Sequence, residues 1–186
     1  MKYPLLSTKQ PHADLLVTPR VEMIETSTDH TYAVKGIECR GITTTKINQR
    51  IGIYATNSQL TRAEIDDMNC MIAGLFRAYK ICYPNAMLIS DAINNRKPVR
   101  GAIIGTVEIS LVGIATHGDI ELDQHVHLNP YNWFTPNIKT YFWHMRNPIK
   151  FEKPIPFKAK SITWNYGGDE IDKLIYEREQ EVINDV

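Results

Sequence analysis

Hydrophobic and polar positions change their period several times along this chain, and each change marks an element. Ile65, Met68, Ile72, Leu75, Phe76 and Tyr79 recur at helical spacing, which places them on one face of a helix. Thr61 and Glu64 ahead of them fit a capping box, in which each side chain takes up a backbone N–H that the first turn leaves free. Pro84 in "CYPN" is expected to stop that helix. "QPHADLLV" (Gln10 to Val17) reads as a short helix, with Pro11 tolerated in its first turn.

Alternation and β-branched residues make "GIECR" and "RIGIYAT" strands, with "TTTKINQ" connecting them. "GAIIGTVEISLVGI" is a long apolar strand in which Gly101 and Gly105 predict a bulge or a close backbone approach. "KTYFWHM", "PIKFEKPIPFK" and "SITWNY" read as further short strands whose prolines mark edges and corners. "VEMIETSTDHTY" is expected as a loop or strand excursion and "NNRKPVR" as a basic loop. Residues 116–137, rich in His, Asn and Pro, are also expected as loop. "DEIDKLIYEREQEVINDV" predicts a polar C-terminal helix with a thin apolar stripe of Ile171, Leu174, Ile175 and Val182. About six strands and one main helix define an α+β fold, a small β-barrel decorated by helices. Residues 1–168 form the body and 169–186 the acidic C-terminal helix.

Charge adds an asymmetry that the totals hide. The 186 residues hold 21 Lys and Arg against 21 Asp and Glu, a formal net charge of zero. Residues 169–186 contain seven of the acids and two of the bases, so the body carries a formal +5. A basic body with an acidic tail is compatible with a polyanionic ligand. The 43% hydrophobic content is ordinary for a globular protein. No apolar run approaches the length of a membrane-spanning helix, so no membrane partner is expected. Cys39, Cys70 and Cys82 show no metal spacing. Their odd number, with no signal-peptide pattern in "MKYPLLSTKQP", points to a reducing, cytoplasmic setting.

Several segments, in order, resemble the ASCH domain (activating signal cointegrator-1 homology), a branch of the PUA-like superfamily. "LLSTKQPHADLLV" is similar to that family's opening LS-x-x-Q-P-W-A, with His12 at the tryptophan position. "KGIECR" resembles its K-x-(I/V)-E-x-R signature. "TTTKINQRIGIYAT", "GAIIGTVEI" and "YFWHMRNPIKFEKPIPFKAKSITW" resemble the stretches that follow it, so the likeness runs from about residue 4 to residue 166. Two positions depart from the pattern: Gln49, Arg50, Ile51 and Gly52 replace the usual Arg-Gly, and Ile42 stands where tryptophan follows the signature. The resemblance implies a PUA-like barrel with a cleft between barrel and helices, lined by the signature, and an association with RNA or other nucleic acid. A few small members are enzymes, an amidohydrolase on N4-acetylated cytidine and a ribonuclease among them.

Candidate chemistry centres on that signature. On a strand Glu38 and Arg40 share a face, where a carboxylate can hold a guanidinium rigid while its other donors stay free for a phosphate or base edge. Gly36 is expected to let the chain turn so that Lys35 leans over the same cleft. The bland alternative is an ion pair on the barrel rim. In the amidohydrolase members the resemblance implies a threonine nucleophile three residues after the lysine. Glu38 stands there, and a carboxylate cannot simply replace an alcohol in acyl transfer. Lys35 and Glu38 remain the catalytic candidates for any hydrolysis, and Thr43, Thr44 and Thr45 lie nearby in sequence.

His117, His125 and His127 invite a metal reading, but without a recognised motif a polar loop is the better expectation. Neither metal nor other cofactor is expected. Trp143 and Trp164 are expected in the core, and Trp133 as an exposed stacker of bases. The expected function is a nucleic-acid-binding module, RNA above all. Its candidate contacts are Lys35, Glu38, Arg40, Lys46, Ser7 and Gln10, with Arg96, Lys97 and Arg100 tracking phosphates and Trp133 stacking. The alternatives are a small hydrolase of a modified nucleoside or single-stranded RNA, and a regulatory domain that binds a protein or metabolite. The C-terminal helix is a candidate oligomer surface if its apolar stripe is exposed.

Overall fold

Six strands form one mixed sheet in the order β2-β5-β4-β3-β1-β6 in a computed structural model of the chain. The structure describes residues 2–21, 31–135 and 138–184. The expected excursion in "VEMIETSTDHTY" therefore lies almost wholly outside the described residues. The strands are β1 (Pro4–Gln10), β2 (Tyr32–Arg40), β3 (Gln49–Gln59), β4 (Ala102–Ile114), β5 (Tyr141–Pro156) and β6 (Trp164–Tyr166). β1 runs parallel to β3, while the other pairs are antiparallel. The α+β class and the count of six strands are as the sequence implied.

The sheet curls until its two ends meet through side chains. β2 is one edge and β1 lies next to the other, yet Arg40 on β2 donates from Nη2 to Ser7 O on β1 at 2.8 Å. Trp143 of β5 and Trp164 of β6 stack at 5.6 Å with an interplanar angle of 11°. Between these contacts the interior fills with Leu6, Ile51, Ile53, Val107, Ile109, Trp143 and Met145, all essentially inaccessible to water. The long apolar run of β4 is explained by this central position: it is flanked by β3 and β5 and covered by α1 (His12–Val17). A Cβ on Gly105 would stand 2.2 Å from Ile149 O and 2.9 Å from Val17. The β4–β5 register also slips between Ile103 and Gly105, so the expected bulge and the expected close approach coincide there.

The helices differ more from expectation. α2 (Arg62–Arg77) has the complete Thr61/Glu64 capping box. It ends before "CYPN", and Pro84 opens a second helix, α3 (Tyr83–Asn94), instead of terminating the first. Proline at the first helical positions has no N–H to lose there, so the same residue can stop one helix or start another. The expected loop at 116–137 contains α4 (His117–Leu122), α5 (Gln124–His127) and a 3₁₀ turn at Tyr131–Trp133. A second capping box, Thr116 with Asp119, starts α4. The two short strands expected between residues 139 and 158 are one continuous β5. β1 is a strand the hydrophobic pattern does not predict, and the merging of two expected strands into β5 keeps the count at six.

α6 (Asp169–Asn184) packs across β4 and β5. Ile175 is fully buried with Tyr3, Leu5, Ile103, Phe151 and Ile155, and Ile171 and Leu174 pack against them. The helix also sends two carboxylates inward. Asp172 accepts from Tyr3 N at 3.0 Å. Glu179 accepts from the Tyr3 hydroxyl at 2.6 Å and from the Thr106 hydroxyl, with Arg50 Nε 3.6 Å away. Its apolar stripe is thus spent mainly on the chain's own sheet. No helix among the described residues is long and apolar enough to cross a membrane.

Candidate functional site

The signature strand is irregular, and the irregularity builds the site. In a regular strand Lys35 and Glu38, three residues apart, would point to opposite faces. Here β2 takes five residues from Tyr32 to Ile37 while its partner β5 takes two from Arg146 to His144. The excess backbone turns Lys35 back toward Glu38, with Nζ 3.6 Å from Oε2. Glu38 Oε1 in turn lies 2.9 Å from Arg40 Nη2. The carboxylate therefore sits between two cations.

Lys35 does not lean over a cleft mouth. It is completely buried in β2, and its ammonium donates to His127 O and to Asn129 Oδ1 at 3.3 Å. Those two acceptors and Glu38 answer the three donors of an ammonium, the condition under which a charge can be buried. Gly36 serves packing: a Cβ there would come within 2.9 Å of Val126 on α5. Lys35 thus holds Glu38 and the 127–129 turn in place, while Glu38 and Arg40 reach a cleft wall.

They open into a cleft of about 620 Å³ at the seam where β1 and β2 approach one another. Ser7, Thr8, Lys9 and His12 line one wall, and Glu38, Cys39 and Arg40 the facing one. Thr56, Ser58 and Glu64 bound it toward α2, and Lys160, Ser161 and Ile162 form a further lip. Arg40 Nη2 is committed to Glu38, Ser7 O and the Thr8 hydroxyl. Its Nε is buried with no hydrogen-bond partner among the described residues, so Nη2 alone makes the bonds that hold the group. Lys9 and Lys160 are exposed at the rim.

The inner end is neutral. His12 is buried with neither ring nitrogen hydrogen-bonded, and the Trp133 ring meets it edge-on at 5.8 Å. Burial, then the nearby charges of Lys35 and Arg40, hold its pKa well below the ordinary histidine value. Burial pushes the Cys39 thiol up to about 12, so it remains protonated. Trp133 is half-buried instead of freely exposed, and its indole N–H donates to Asp67 Oδ2 at 3.2 Å.

Other sequence candidates lie elsewhere. Gln10 does not line the cleft; its amide donates to Val99 O at 2.9 Å and accepts from Asp14 N at 3.2 Å, tying the basic loop to α1. Ser7 lines the cleft, but its hydroxyl is taken by Ser161 O and Asn165. Arg96, Lys97 and Arg100 are exposed outside the cleft. Lys46 lies over the Tyr166 ring at 5.8 Å, outside the lining as well. Thr43, Thr44 and Thr45 do not line it either. Trp143 is fully buried and Trp164 half-buried, both in the core.

The three histidines do not converge. His127 Nε2 bonds Ile120 O at 2.8 Å while Nδ1 accepts from Asn129 N at 3.0 Å, His125 faces Leu122 O, and His117 meets Tyr131. Among the described residues no three His, Cys, Asp or Glu are grouped to hold a metal ion.

A curled six-stranded sheet with this polar seam and a packed C-terminal helix is the ASCH fold. The chain aligns with the crystal structure of an ASCH protein from Zymomonas mobilis over 94% of each chain, with a TM-score of 0.53 and 14% identity. A tyrosine-to-phenylalanine mutant of the Zymomonas mobilis protein gives a TM-score of 0.52 at 12% identity, over 95% of this chain and 98% of the other. Neither a family model nor a curated protein sequence matches. At these identities the likeness concerns the fold.

Proposed function

We propose that the cleft binds single-stranded nucleic acid, RNA in the first instance, one nucleotide at a time. The observation that carries this reading is the Lys35–Glu38–Arg40 arrangement: a guanidinium at the cleft wall held by a buried carboxylate, with only Nη2 committed to acceptors among the described residues. A guanidinium fixed in this way loses little freedom on binding a phosphate. Lys9 and Lys160 add positive charge at the rim, and the neutral inner end with Trp133 and His12 suits an uncharged base. At about 620 Å³ the cleft matches a small-molecule site and not a duplex groove. Single-stranded RNA is commonly recognised through such splayed-out bases.

Fluorescence anisotropy with single-stranded RNA, single-stranded DNA and duplexes at about 50 and 200 mM salt tests this. Neutralising three phosphates predicts a loss of affinity of roughly twentyfold over that range. Arg40→Ala should weaken binding and remove about one phosphate from the salt slope. Absence of binding to every probe at low salt would refute the reading. Turnover of acylated nucleosides or RNA that disappears in Glu38→Gln would replace it with a hydrolase.

A further inference from the structure

The elbow between α2 and α3 carries an exposed aromatic face that the cleft does not explain. Phe76 is 43% exposed, Tyr79 95%, Tyr83 65% and Met87 43%. The first three border a hollow of about 870 Å³ together with Arg77 and Ile81.

The backbone supplies a second observation. Lys80 N donates to Leu75 O at 2.9 Å and Tyr79 N to Phe76 O at 3.0 Å, which is a Schellman turn closing α2. The residue after the cap in such a turn is usually glycine, because its φ is positive. Here it is Tyr79, at φ 55. A bulky side chain in this conformation is strained, and at 95% exposure Tyr79 recovers almost nothing by packing.

Charge selects the occupant. From Met68 to Ser90 the sequence contains no acid, and it contributes Arg77 and Lys80. Flat rings interleaved with cations suit a polyanion whose units present π-faces. We propose that this elbow is a stacking platform for single-stranded RNA, a second contact for a strand that also places a nucleotide in the cleft. The proposal rests on the reading of the cleft given above. Glu64 at the cleft and Phe76 at the platform are twelve residues apart on α2, roughly 18 Å at 1.5 Å per residue. About five nucleotides span that distance at a stacked rise of 3.4 Å.

Anisotropy with unstructured RNAs of about 4 and 12 nucleotides tests it, because only the longer can reach both places. Tyr79→Gly relieves the turn, so it raises the melting temperature while weakening the 12-mer about fivefold or more, one lost stack. Tyr83→Ala should weaken the 12-mer likewise, and the 4-mer should bind equally to all three proteins. Equal 12-mer affinity in wild type and both variants would overturn the platform while leaving the cleft reading intact. Failure of the wild type to bind either RNA would overturn both. A wild-type dimer dissolved by both variants in sedimentation, with RNA affinity unchanged, would make the elbow a protein interface and overturn the proposal.

Discussion

Acidification below neutrality should destabilise the fold, and His127 is one clear reason. Its side chain is inaccessible to water between the Phe134 and Phe142 rings. Nε2–H donates to Ile120 O and Nδ1 accepts from Asn129 N, so both nitrogens are committed to the neutral form. Protonating Nδ1 would set two donors against each other, beside the Lys35 ammonium and within the influence of His125. Burial dominates and lowers the pKa to about 4, against 6.5 unfolded.

With the folded value depressed, the unfolded chain binds the proton first. Stability is therefore full above about pH 6.5 and falls as pH drops toward 4, by up to about 1.4 kcal/mol per pH unit. Between pH 7.5 and 5 the loss is about 2 kcal/mol, or about 4–8 °C in melting temperature for a chain of this size. His12, also held neutral, adds a loss of the same sign. The carboxyls of Glu64, Glu108 and Asp119 are held below their usual range by hydrogen bonds and titrate beneath this window. Thermal melts followed by circular dichroism at pH 7.5, 6 and 5 measure the slope. His127→Gln should reduce it, leaving the part contributed by His12 and the other histidines held neutral, whatever the variant's absolute stability. An undiminished slope in that variant would refute the reasoning.

Two further outcomes follow from packing. Glu179→Ala leaves the Tyr3 and Thr106 hydroxyls without their acceptor and Arg50 without its carboxylate; urea denaturation should show a loss of about 2–4 kcal/mol. Gly105→Ala forces a methyl against Ile149 O and Val17, and the same assay should show a loss of at least about 1–3 kcal/mol.

The parts of the fold legible in the sequence are those with an unambiguous period or cap. α2 announces itself by Thr61, Glu64 and an apolar face, and β4 by a long, mainly apolar, β-branched run with Gly105 at its crossing point. α3 was concealed because Pro84 signals a helix stop and a helix start equally well. α4 and α5 are too short to show a period, although Thr116 and Asp119 repeat the capping signal that marked α2. β5 reads as two pieces because Pro148 and Pro154 interrupt it, and a strand tolerates proline where it bends or lies at an edge.

That Glu38 and Arg40 share a face was legible from alternation, and the resemblance to the K-x-(I/V)-E-x-R signature is what made them candidates for the cleft. The burial of Lys35 was not, because it depends on the β2 bulge and on acceptors from residues 127 and 129, nearly a hundred positions away. Thr8, Lys9 and Lys160 were missed for the same reason: only the curl of the sheet brings β1, β2 and the 159–162 segment to one seam. His12 did carry a signal, as the residue standing where the resembled opening pattern has tryptophan.

The central claim is that the seam between β1 and β2 is where RNA binds. Titrating the ¹⁵N-labelled protein with a short single-stranded RNA and following backbone amide shifts tests it most directly. The account predicts saturable shifts at Thr8, Lys9, Cys39, Arg40 and Ser161, abolished in Arg40→Ala. Saturable shifts confined to α6 or the outer edge of β6, with the seam unmoved, would contradict it.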